Sequence, residues 1–157
     1  MTASIAQKSA REWFLFTIGV KKAEDIVAWA DRVIAEEERP DARILDLSTT
    51  SPERTDVFVA ELGRLKDGGD IWRAVADGLD AVHDFVVAHP EEAERIAQAL
   101  YSVASWYPKG MPDEFSFIFH FDDAFYLAKE GIYGGTDAVY ADFVAHLKRY
   151  KNEPNLK

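Results

Sequence analysis

The sequence predicts an all-α protein: a single-domain bundle or short right-handed array of about six to eight helices around an aromatic-rich core helix. Three observations carry that expectation. Apolar residues recur at helical spacing in segments of roughly 20 to 25 residues, punctuated by glycine, proline and aspartate. The 157 residues are 48% hydrophobic and 13% aromatic, enough for one substantial core. The stretch that alternates most like a strand, EFSFIFHFDD at 114–123, has only one other candidate strand to pair with, and two short strands do not make a stable sheet.

Taken in order, REWFLFTIG (11–19) reads as a short buried helix stopped by Gly19. From Lys22 to Glu38, Ile26, Ala30, Val33 and Ile34 share one face. ARILDLS (42–48) is short and apolar, compatible with two helical turns or with a strand. In the segment 51–65, Ser51 is the expected N-cap, Pro52 occupies the first helical position, and Phe58, Leu62 and Leu65 point inward. DGG (67–69) breaks the chain, and Asp70 caps a long helix to Ala88 that buries Trp72, Val75, Leu79, Val82 and Val86. The next helix starts near Pro90, with acids in its first turn and Ile96, Leu100, Val103 and Tyr107 inward.

PKGMP is the clearest loop. Beyond it, at 100° per residue, Phe117, Phe121, Ala124, Phe125 and Ala128 fall on one side, and Phe115, Ile118, Phe119, Asp122 and Tyr126 on the other. A helix apolar on most sides is expected to be central and buried, starting at Pro112 or Asp113 and stopping at Gly131. Thr136 or Asp137 should cap a last helix carrying Val139, Phe143 and Leu147. No linker is long enough to divide the chain, so one helical domain over 1–157 is expected, with 1–10 and 152–157 frayed.

Composition excludes several function classes. A formal net charge of −10 opposes nucleic-acid binding, which needs a basic footprint, and adsorption to anionic membranes. No apolar run approaches the roughly 20 residues of a membrane span. The chain has no cysteine, which removes disulfides and thiolate metal sites, and its N-terminus lacks a signal-peptide pattern. A cytoplasmic location is the expectation.

No catalytic constellation stands out. Ser116, His120 and Asp123 lie on one strip of a single helix, whereas working triads draw their members from separate elements. A buried His120, satisfied by Ser, Asp or a carbonyl, is the expectation there. His83 and Asp84 form a doublet of the kind central to helical HD-type metal phosphohydrolases. Those enzymes need an upstream histidine ligand, and no histidine precedes His83. EGIYGG and DGGD lack the spacing of phosphate-binding loops. The protein is expected not to be an enzyme and to use neither cofactor nor metal.

The strongest positive signal is acidic. Asp70, Asp77, Asp80 and Asp84 form a stripe opposite the apolar face of their helix, with Arg73 the one base among them. Like charges at this spacing cost a helix slightly. A solvated face is one reading, and a docking surface for a basic partner, extended by Asp67 and by Glu91, Glu92 and Glu94, is the other.

The run DIVAWADRVIAEEERPDARILDLSTT (25–50) resembles small helical immunity proteins of bacterial polymorphic-toxin and contact-dependent growth inhibition systems. The resemblance covers roughly the first 65 residues and assigns no contact residue. It implies a protein that binds the toxic C-terminal domain of a cognate effector, usually a basic nuclease, and occludes its active site or substrate groove. The expected function is therefore that of an immunity protein, with Asp70, Asp77, Asp80, Asp84, Glu91, Glu92 and Glu94 as partner-binding residues. The alternatives are a helical protein-binding adaptor unrelated to toxins and an enzyme with an unrecognised site.

Overall fold

The structure, a computed structural model, describes residues 3–132 and 134–152. Among these the chain is all-α. The helices are α1 (Ile5–Thr17), α2 (Ala23–Glu36), α3 (Ala42–Thr49), α4 (Thr55–Leu65), α5 (Ile71–Ala88), α6 (Ala93–Trp106), α7 (Phe117–Lys129) and α8 (Thr136–Asn152). Short 3-10 turns at Pro90–Glu92 and Asp113–Ser116 lead into α6 and α7. Both segments that left strand and helix open, 42–48 and 115–121, are helical.

Local chemistry explains where the boundaries differ from the sequence reading. α1 begins at Ile5, where Ser4 Oγ accepts the Gln7 N–H at 3.1 Å. Residues 1–2 and 153–157 of the expected frayed ends lie outside the described residues. Ser51 does not cap α4, because its hydroxyl engages the Glu53 carboxylate. The chain turns first, Arg54 N–H donating to the Ser51 carbonyl at 2.9 Å, and α4 begins at Thr55. At α8 the helix already includes Thr136, and Gly135 rather than Thr136 or Asp137 precedes it, accepting the Val139 N–H at 3.2 Å. Gly131, at φ +72°, ends α7 by letting Ile132 N–H reach the Leu127 carbonyl at 2.9 Å.

Contacts divide the chain into two compact units, Met1–Ala74 and Val75–Lys157. In the first unit α1 packs on α4, α2 on α3, and α3 on α4. Its core includes Phe14, Leu15, Ile26, Ile44, Leu47, Phe58 and Leu62, all essentially inaccessible to solvent. One carboxylate joins them. Glu12, 3% exposed, receives Lys21 Nζ at 2.5 Å and Arg11 Nη1 at 3.4 Å, so a buried charge is matched by two cations. Gln7 clamps the chain just before α5, donating to the Asp70 carbonyl at 3.0 Å and accepting the Asp70 N–H at 2.9 Å. A Cβ on neighbouring Gly69 would sit 2.9 Å from the Ala6 carbonyl oxygen, so this approach of backbone to α1 requires glycine.

In the second unit α7 packs between α6 and α8. Its core is a cluster of rings. Phe121 is 5.0 Å from Phe143 and 5.0 Å from His146, and Phe117 is 6.3 Å from Phe121. Phe115 stacks on Tyr150 at 5.7 Å. These are the tilted, edge-on and offset arrangements that ring quadrupoles favour.

Candidate protein-docking surface

The acidic stripe of α5 is largely engaged within the fold. Asp70 belongs to the first unit and caps α5, its Oδ1 accepting Trp72 N–H at 3.0 Å and Arg73 N–H at 3.2 Å. Asp67 also belongs to the first unit, and Asp77, Asp80, Asp84, Glu91, Glu92 and Glu94 belong to the second. Asp77 and Asp80 are half-buried and each has an interacting partner. Asp84 is exposed, yet Lys151 Nζ lies 2.6 Å from its Oδ1 and His83 Nδ1 3.0 Å away. These two partners, Lys151 first, hold its carboxyl below the ordinary carboxylate range.

The acids at the start of α6 are paired in their turn, and Glu91 is the most exposed of them. Glu91 is exposed and stands 3.5 Å from His89. Glu92 pairs with Arg95 one turn on, and Glu94 lies 3.4 Å from Lys129 of α7. Here the second unit forms an open concavity of about 420 Å³. Glu91, Glu94 and Asp137 supply carboxylates to it, and Phe125 and Tyr140 supply ring surface. Tyr140 is oriented by its hydroxyl, which donates to the Val86 carbonyl at 3.3 Å. Carboxylates around an aromatic wall suit a cationic side chain, since charge and ring face both attract it. Asp137, Phe125 and Tyr140 were missed from the sequence as site residues. Asp137 had been read as a helix cap, and the other two gave no signal distinct from core packing.

The strip Ser116, His120 and Asp123 lies on the surface. All three residues are exposed, so the expected buried histidine is corrected: His120 meets Phe121 edge-on at 5.0 Å at the margin of the ring cluster. The buried arc of α7 is Phe117, Ile118, Phe121, Ala124, Phe125 and Ala128, and the strip falls outside it.

The second apolar side of α7 departs from expectation in part: Phe115 and Ile118 are buried, and the other two apolar residues are not. Phe119 is 39% and Tyr126 60% exposed, although a helix with apolar residues on two sides was expected to be covered on both. Tyr101 of α6, 41% exposed, meets Phe119 edge-on at 5.5 Å. On the same seam, burial, then the neighbouring charges of Asp123 and Glu94, push the Asp122 carboxyl above its ordinary value.

Comparison with family models, curated proteins and solved structures finds no match to this chain. Among the described residues no helix is long and apolar enough to cross a membrane.

Proposed function

We propose that this protein works by binding a basic protein partner, and that the partner is the toxic domain of a bacterial effector that it neutralises in the cytoplasm as an immunity protein. The observation that carries the binding reading is the concavity where Glu91, Glu94 and Asp137 surround the ring surfaces of Phe125 and Tyr140. A protruding lysine or arginine of the partner enters it, exchanging water for carboxylates and an aromatic wall. The net charge of −10 speeds encounter with such a partner and repels nucleic acid. The toxin assignment rests on the resemblance of 25–50 to helical immunity proteins. Inhibition follows by occlusion, with carboxylates lying where substrate phosphates would otherwise contact the partner.

The test is coexpression with the product of an adjacent effector gene, followed by calorimetry of the purified pair. A complex whose affinity falls as salt rises is expected, because exposed charges are screened beyond roughly 8 Å at physiological ionic strength. Glu91→Gln with Asp137→Asn should weaken it by about tenfold, or 1.4 kcal/mol. No complex would end the toxin reading, and a complex indifferent to both salt and the double variant would end the role of the concavity.

A further inference from the structure

We propose that the exposed seam between α6 and α7, formed by Tyr101, Phe119 and Tyr126 beside Glu94, Asp122 and Asp123, docks a basic amphipathic segment of the partner. The inference rests on the basic-partner reading and extends it, since Glu94 belongs both to the concavity and to the seam.

The apolar half of the argument starts from α7. Its neighbours bury Phe117, Ile118, Phe121, Ala124, Phe125 and Ala128, and leave Phe119 and Tyr126 in water. Tyr101 adds a third exposed ring across the seam, held edge-on to Phe119. Aromatic side chains bring large contact area at small entropic cost, which is why they dominate the centres of protein interfaces. Such a surface takes apolar side chains projecting from one face of a partner segment.

The charged half settles which partner. Asp122 and Asp123 are adjacent in sequence, and Glu94 acts on Asp122 from α6. Lys129 reaches this cluster, bound to Glu94 at 3.4 Å. Three carboxylates crowded beside exposed rings repel one another, and a lysine or arginine set down among them relieves that repulsion while the rings cover its stem. A second copy of this chain is a poor occupant. It would bring the same carboxylates and another −10 of net charge against the seam.

The test uses the whole protein and three fluorescein-labelled helical peptides, read by anisotropy. One carries arginine and leucine on opposite faces, the second replaces arginine by glutamate, and the third replaces leucine by serine. The arginine–leucine peptide should bind, and each control should bind at least about tenfold more weakly. Tyr126→Ala removes a ring too exposed to support the fold and should weaken binding by about tenfold, as should Asp122→Asn with Asp123→Asn. Circular dichroism identical to the parent shows that the variants fold. Absence of binding, equal binding of the glutamate or serine peptide, or indifference to either variant overturns the proposal. So does concentration-dependent self-association abolished by Tyr126→Ala, which would assign the seam to a second copy. Loss of the effector complex in the Glu91→Gln, Asp137→Asn variant, with no effect of Tyr126→Ala on either complex or peptide, removes the seam and leaves the basic-partner reading standing.

Discussion

Within Met1–Ala74 the buried set includes two polar residues, Ser9 and Glu12, while the large exposed apolar side chains are the aliphatic Leu45 and Val59. Within Val75–Lys157 the described buried set is apolar and aromatic, and beside the exposed aliphatic Val87 and Ile132 the rings of Tyr101, Trp106, Phe119 and Tyr126 stand 39–60% exposed. The contrast is physical. A buried carboxylate costs solvation that only well-placed cations offset, and in return it constrains the geometry around it. An exposed ring leaves its favourable burial unrealised in the unbound protein. The first unit thus spends the Glu12 ion pairs on its own interior, and the second keeps apolar surface in hand. On the proposed function, that surface is where the partner lands.

The largest test of this contrast is Phe121→Ala. Phe121 is 1% exposed and in contact with four other rings, so its loss should cost about 3–5 kcal/mol in denaturant unfolding. A loss below about 1 kcal/mol would mean that the ring cluster is not the core of the second unit.

Next comes the polar interior of the first unit. Glu12→Gln leaves Lys21 Nζ beside a neutral amide in a buried setting and should cost about 2 kcal/mol. Replacing both residues, Glu12→Met with Lys21→Met, should recover much of that loss, because two desolvated charges are removed together. If the single variant were as stable as the parent, the ion pair would contribute nothing and the contrast would lose one side.

The smallest effect is the most specific. The Asp122 carboxyl titrates above its ordinary value of 3.8, so its charged form weakens the fold. The weakening is absent below 3.8, grows as pH rises through the folded value, and is complete above it. Asp122→Asn should therefore add about 0.5 kcal/mol at neutral pH, the scale of like-charge neighbours on a helix. The gain should vanish in acid, as parallel urea titrations would show. A gain that persists in acid would assign the effect to packing instead of charge. Together with the binding loss expected of the Asp122→Asn, Asp123→Asn variant, this gives the seam a signature in which stability rises as affinity falls.

Much of the architecture was legible in the residues themselves. Ile26, Ala30 and Val33 recur at helical spacing and are buried, as are Phe58, Leu62 and Leu65, and Val139, Phe143 and Leu147. Asp70 before an apolar run caps α5, and Gly131 stops α7. Where local reading failed, a competing local bond was the cause, as when the Ser51 hydroxyl turned to Glu53 instead of capping α4. The acidic character of the candidate surface was also legible, since it follows from composition. Its location was not.

Periodicity and capping act within a few residues along the chain, and so the sequence by itself determined that the protein is helical and where some helices begin or end, as at Asp70 before α5 and Gly131 after α7. Which sides are covered depends on residues far away. Lys151 neutralises Asp84 from 67 positions along the chain, drawing in an acid that looked available. For α7 the wheel offers two apolar sides and no means of telling which of their residues will be covered, Ile118 being buried and Phe119 exposed on the same side. Only the packing of α6 and α8 decided that Phe117 and Phe121 would be buried and that Phe119 and Tyr126 would meet water, because burial is a property of neighbours in space and not of spacing along a helix.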